Sequence, residues 1–318
     1  MILIPEVITI VILDILFVFF ALIALYLSIN IALKWDIDST SQQQYKLEKN
    51  SSLAATIIKY IFIIKLPLFL FFIFTLDKIS NLLTGAMCAA GVVDATSYGT
   101  YLFILKIVNI YLFGYWLVLH YMDTKYENLP YTKLKFRFFI LAFFVFIAEI
   151  LLEILMFSSI DISKMVSCCG TLYSSSATSV ISSIFLIPTN ILLIVFYGIF
   201  LLLGWFYYKK NIYIYALFNF MFLIVSIISL ILFFGTYIYE LPTHHCPFCF
   251  LQKDYNYIGY LIYVLLFTGT FYGTSVLFIK DRNILYQKMK ISLIFNILYI
   301  LVISFYPIYF FIKNGVWL

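Results

Sequence analysis

Residues 187–238 read IPTNILLIVFYGIFLLLGWFYYKKNIYIYALFNFMFLIVSIISLILFFGTYI. Two apolar runs, 187–208 and 212–238, are divided only by Lys209, Lys210 and Asn211. Each run matches the ~20 residues a helix needs to cross bilayer hydrocarbon, and neither alternates strictly as a barrel strand does. The segment therefore predicts two consecutive membrane-spanning helices joined by a short basic turn.

Six further runs pass the same hydropathy criterion, at 5–33, 53–76, 100–122, 138–160, 257–279 and 291–312. The expected fold is all-α, a polytopic transmembrane helical bundle of about eight spans. It forms a single integral membrane domain over residues 1–318, with no soluble domain. Composition agrees: of 318 residues, 64% are hydrophobic and 11% charged, with a mean hydropathy of +1.06, which excludes a soluble globular protein and a disordered chain. A net charge of +5 from 20 basic and 15 acidic residues, without a clustered basic face, excludes a nucleic-acid partner. The partner this surface requires is the lipid bilayer.

Orientation follows from the basic residues, since short loops rich in Lys and Arg stay cytoplasmic. The loops after the first, third, fifth and seventh spans hold thirteen of the 20, including Lys125, Lys133, Lys135 and Arg137, and Lys280, Arg282, Lys288 and Lys290. The opposite side holds four, Lys78, Lys164, Lys253 and Lys313. Both termini are thus expected on the outer, non-cytoplasmic side of a cell inner or plasma membrane. The first span, preceded by Glu6 and lacking a small-residue cleavage site, reads as a retained helix. Residues 171–190, rich in Ser and Thr and interrupted by Pro188, read either as an outer surface helix or as a kinked extension of the fifth span.

With this orientation all five cysteines fall on the outer side: Cys88 after the second span, Cys168 and Cys169 after the fourth, Cys246 and Cys249 after the sixth. His244 and His245 directly precede Cys246-Pro247-Phe248-Cys249. A C-x-x-C spacing suits a small disulfide ring or two thiolates on one metal, and an adjacent imidazole serves both. Pro247 fixes φ and tightens the turn between the sulfurs. Small residues surround the other thiols in Gly85-Ala86-Met87-Cys88-Ala89-Ala90-Gly91 and Ser167-Cys168-Cys169-Gly170, so that backbone and partner groups can approach closely. Phe250 stands where covalent c-type haem attachment needs His, and no Gly-rich phosphate loop, nucleotide motif or internal repeat is present.

Five ionisable residues lie well inside spans, Asp14, Lys65, Lys106, Glu149 and Glu153. At a rise of ~1.5 Å per residue, Lys106 and Glu153 share one depth, and Lys65 and Glu149 share another near the middle. Glu149 and Glu153, spaced i, i+4, lie on one helix face. The depths predict ion pairs Glu153 with Lys106 and Glu149 with Lys65, with Asp14 nearby. These read either as structural charges orienting the first four spans, or as a polar track leading inward from the cysteine-bearing face.

Three functions fit these residues. The first is thiol–disulfide redox exchange coupled to the membrane, an oxidoreductase in which Cys246 and Cys249 exchange and Cys88 with Cys168 or Cys169 relays. The CPFC tetrapeptide resembles, over its four residues, the active-site sequence of glutaredoxin-type oxidoreductases. In arrangement the outer cysteines are similar to those of the membrane disulfide-generating quinone reductases and the vitamin K epoxide reductases, which also place two cysteine pairs at outer helix ends. That resemblance implies quinone as the cofactor. The chain departs from those enzymes in its eight spans, against their four-helix core, and in having Arg137 and Arg282 on the cytoplasmic side. The second function is Cu or Zn binding, delivery or transport, with Cys246, Cys249, His244 or His245, and one of Cys88, Cys168 or Cys169 as ligands. The third is a structural membrane subunit whose loops are stapled by disulfides. Under the first two, the expected partner is a periplasmic or luminal thiol protein or metal carrier.

Overall fold

The computed structural model describes residues 3–36, 39, 41–86, 88–161, 166 and 187–318. Cys168, Cys169 and most of 171–190 lie outside these residues. Among the described residues the protein is helical, with no strand and eight helices long and apolar enough to span a membrane. They are α1 (Pro5–Lys34), α2 (Gln42–Ser80), α4 (Gly99–Thr124), α5 (Thr132–Ser159), α6 (Thr189–Tyr208), the composite helix from Ile212 to Tyr239, α9 (Ile258–Ser275) with its final 3-10 turn, and α10 (Arg282–Asn314). A short α3 (Ala89–Asp94) follows α2. The composite helix consists of α7 (Ile212–Ser229), a π-helical turn at Leu230–Phe234, and α8 (Gly235–Tyr239). This is the makeup of a multi-pass membrane protein.

Helix limits follow local chemistry as well as hydropathy. The Ser41 side chain caps α2 by accepting from the Gln44 amide at 3.2 Å, so the helix begins eleven residues before the apolar run at 53. Asp281 caps α10 in the same way, accepting from the Asn283 and Ile284 amides, and α10 begins well ahead of its apolar run at 291. Hydropathy sees only the part that hydrocarbon covers; capped polar turns extend the helix beyond it. Asn211 caps α7 through the Ile214 amide, which turns the chain directly after Lys209 and Lys210. Gly315, at φ +74°, ends α10.

The chain gathers into two compact units, Met1–Leu82 with Val92–Lys164, and Leu83–Gly91 with Met165–Leu318. In the first, α5 packs on α1 and α4, and α2 packs on the same two helices. Its apolar centre is aromatic: Phe62 stacks on Phe113 at 4.2 Å between ring centroids, Phe113 meets Phe146, and Trp116 donates to the Lys135 carbonyl at 3.1 Å. In the second unit α9 lies between α7 and α10, with α6 against α7. Gly269 and Gly273 form a G-x-x-x-G stripe on α9 that lets two asparagines approach. A Cβ on Gly273 would lie 2.1 Å from Asn219 Cγ, and one on Gly269 would lie 2.2 Å from Asn296 Oδ1. The asparagines bond to each other, Asn296 Nδ2 to Asn219 Oδ1 at 3.0 Å, and Ser292 and Tyr215 continue the chain of hydrogen bonds.

Candidate functional site

The second unit brings Cys88, Cys246 and Cys249 together, although 158 residues separate the first two. All three sulfurs lie within 4.8 Å of one another, and Cys88 Sγ is 3.4 Å from Cys246 Sγ. The cluster is closed to bulk water: Cys88, Cys246 and Cys249 are 0%, 1% and 6% exposed. The short segment Leu83–Gly91 leaves α2 and inserts into this unit, where Ala89 and Ala90 are buried beside Cys88. Alanine and glycine at these positions leave the room that the convergence of sulfurs needs.

The C-x-x-C turn is held from both sides by tyrosine hydroxyls. Tyr239, at the end of α8, donates to the Cys246 carbonyl and accepts from the Phe250 amide at 3.1 Å, so one side chain clamps the two ends of the turn. Tyr263 on α9 donates to the Pro247 carbonyl at 2.7 Å. The Phe248 amide points at Cys246 Sγ at 3.5 Å, an N–H donor that suits a thiolate acceptor. From Cys249 the chain enters a 3-10 turn closed by Leu251 N to Phe248 O at 2.9 Å. Pro247 between the two sulfurs cannot donate, so the turn is closed by these tyrosines and amides.

The two histidines diverge. His245 Nδ1 lies 2.9 Å from the Ile231 carbonyl, inside the π-helical turn, where the regular i→i+4 ladder is interrupted. His244 packs edge-on against Tyr239, at 4.3 Å between ring centroids. Its Nε2 is buried and finds no hydrogen-bond partner among the described residues. Burial pushes the His244 imidazole below the ordinary histidine range; Cys88 pulls it the other way and His245 lowers it further. The folded protein thus favours the neutral form of this ring. Burial, with Cys249, Asp254 and Cys246, raises the Tyr255 phenol, which also borders the sulfurs.

The cluster is thus a preorganised trio of soft donors, able to hold a metal ion or to exchange electrons. Three sulfurs each ~2.3 Å from one ion would lie about 3.8–4.0 Å apart, well within the span seen here. The group within 4.8 Å consists of the three cysteines; His244 stands next to it as an electrostatic neighbour of Cys88. The five intramembrane charges come together in the other unit. Tyr239, Tyr255 and Tyr263 were invisible in a chain with 27 tyrosines, because nothing in spacing marks which hydroxyl will face a turn. No protein-family model, curated protein or solved structure matches this chain.

Proposed function

We propose that this membrane protein binds a soft d10 metal ion, Cu(I) or Zn(II), through Cys88, Cys246 and Cys249, for capture or delivery on the non-cytoplasmic side. The observation that carries the reading is the convergence of three buried sulfurs within 4.8 Å. Thiolates are the preferred donors of both ions, and three of them suit the low coordination numbers of Cu(I) especially well. Zinc would need a fourth donor, and the His244 imidazole, whose Nε2 is buried without a hydrogen-bond partner among the described residues, is a candidate. The Tyr239 and Tyr263 bonds to the Cys246 and Pro247 carbonyls support it, because they hold the turn before the ion arrives. The side is assigned from the excess of Lys and Arg in the alternate loops, which places both termini and the cysteine loops outside an inner or plasma membrane. A metal carrier on that side is the matching partner.

Thiol–disulfide exchange is the second reading, favoured by the 3.4 Å approach of Cys88 to Cys246. In it two thiols become one disulfide, and their two electrons and two protons pass to a membrane quinone, forming the quinol. Burial weighs against a protein thiol as the direct partner, since attack on sulfur needs access.

Elemental analysis of the protein purified anaerobically, together with thiol counting by a mass-shifting alkylator, decides between them. The metal reading expects about one Cu or Zn per chain, lost in Cys246→Ser and Cys249→Ser, and thiols that a chelator exposes to alkylation. Thiols that re-form a disulfide after reduction, without stoichiometric metal, would establish the exchange reading in its place.

A further inference from the structure

The first unit contains a second polar centre that the cysteine chemistry does not use. Asp14 on α1, Lys65 on α2, Lys106 and Asn109 on α4, and Glu149 and Glu153 on α5 meet in its interior, none more than 6% exposed. Lys65 Nζ lies 2.6 Å from Asp14 Oδ1 and 3.4 Å from Glu149 Oε1. Lys106 Nζ lies 2.9 Å from Glu149 Oε1 and 2.7 Å from Glu153 Oε2. Asn109 Nδ2 donates to Glu149 Oε2. The charged neighbours of Glu153 are thus Asp14, Lys65 and Lys106 from three other helices and Glu149 from its own.

Two ammonium groups face three carboxylates, so the fully ionised centre carries one net negative charge. A buried charge that nothing neutralises is costly in hydrocarbon. Each ammonium group also faces an aromatic ring, Lys106 Nζ 4.3 Å from the centre of Phe72 and Lys65 Nζ 5.0 Å from that of Phe146, contacts that favour a cation. The compensating charge must then be a cation or a proton on a carboxylate. A metal cation would stand within a few ångströms of two ammonium groups that already occupy one oxygen of each carboxylate. The structure marks a simpler place: among the described residues Glu153 Oε1 is buried without a hydrogen-bond partner, as are Asn109 Oδ1 and Asp14 Oδ1, but the Asp14 oxygen lies 2.6 Å from the Lys65 ammonium. A small cavity borders the centre, lined by Lys65, Lys106, Asn109 and Glu149 together with Phe69 and Phe113.

We propose that this centre is a proton-binding site, in which Glu153 carries one exchangeable proton at Oε1. Binding forms one O–H bond with a proton taken from water and leaves the centre neutral; release returns the proton and leaves the net charge at minus one. The arrangement is that of an acid that a proton relay or a proton-coupled transporter loads and unloads within the membrane. It stands independently of the metal reading, since it uses none of the residues on which that reading rests.

Infrared spectroscopy of the full-length protein in lipid tests the proposal. The expected spectrum at neutral pH has a protonated-carboxyl C=O band that shifts in D2O and is lost as the pH is raised. Asp14→Asn, which balances two carboxylates against two ammonium groups, should abolish that band. Glu153→Asp should keep the band and move its frequency, because the carrier itself has changed. Absence of the band in the unmodified protein overturns the proposal, as does a band that neither substitution affects.

Discussion

At the scale of single residues, His244 and His245 show how little adjacency decides. They are neighbours in sequence, yet one bonds a backbone carbonyl inside a π-helical turn and the other packs edge-on against Tyr239 with its Nε2 buried. Burial lowers the His244 pKa, so the folded state prefers the neutral ring. Its contribution to stability is therefore full above the ordinary value of about 6.5 and is lost as pH falls through the depressed folded value. A bound cation feels the same titration, because an imidazolium next to the sulfurs repels it. Metal affinity should thus fall on acidification from two sources, protons competing at sulfur and the charge at His244. In His244→Gln only the first source remains, and competition titrations across pH 5 to 7.5, roughly the range of histidine, should give a shallower curve. Curves that superimpose would remove His244 from the site.

At the scale of elements, the G-x-x-x-G stripe on α9 sets how closely three helices of the second unit approach. Gly273→Ala would drive a methyl into the Asn219 amide, which is itself tied to Asn296 and Ser292. Overpacking of this kind costs about 1–3 kcal/mol, so a clearly lower thermal midpoint in detergent is expected. Gly198→Ala provides the contrast, since a Cβ there meets nothing within 4 Å on α6. An alanine at 198 should leave the midpoint unchanged or raise it slightly, by helix propensity alone. Equal effects of the two substitutions would show that the close approach is not what holds these helices together.

At the scale of the whole molecule, the chain builds two helical units, each with its own buried polar centre: sulfurs in one, carboxylates and ammonium groups in the other. The proposed orientation makes a direct prediction. A cysteine introduced by Lys253→Cys should react with a membrane-impermeant alkylator added to intact cells, whereas Lys288→Cys should react only after permeabilisation. The reverse pattern would invert the topology and put the metal site on the cytoplasmic face.

Much of this architecture was legible in the sequence, because hydrocarbon imposes a length and a polarity on every span regardless of tertiary detail. The turn at Lys209, Lys210 and Asn211 marked two helices, and all eight expected runs lie within or closely match helices of the structure. Depth along the helices also paired Glu153 with Lys106 and Glu149 with Lys65, now seen at 2.7 and 3.4 Å, because helical rise converts position into height. Height says nothing about azimuth, and so Asp14 on Lys65, Asn109 on Glu149 and the sharing of Lys106 between two glutamates came only from packing. The cysteines were legible as a loop feature, whereas the choice of Cys88 as the neighbour of Cys246 was not. That choice depends on Leu83–Gly91 crossing into the second unit, a long-range contact with no local signal in the chain.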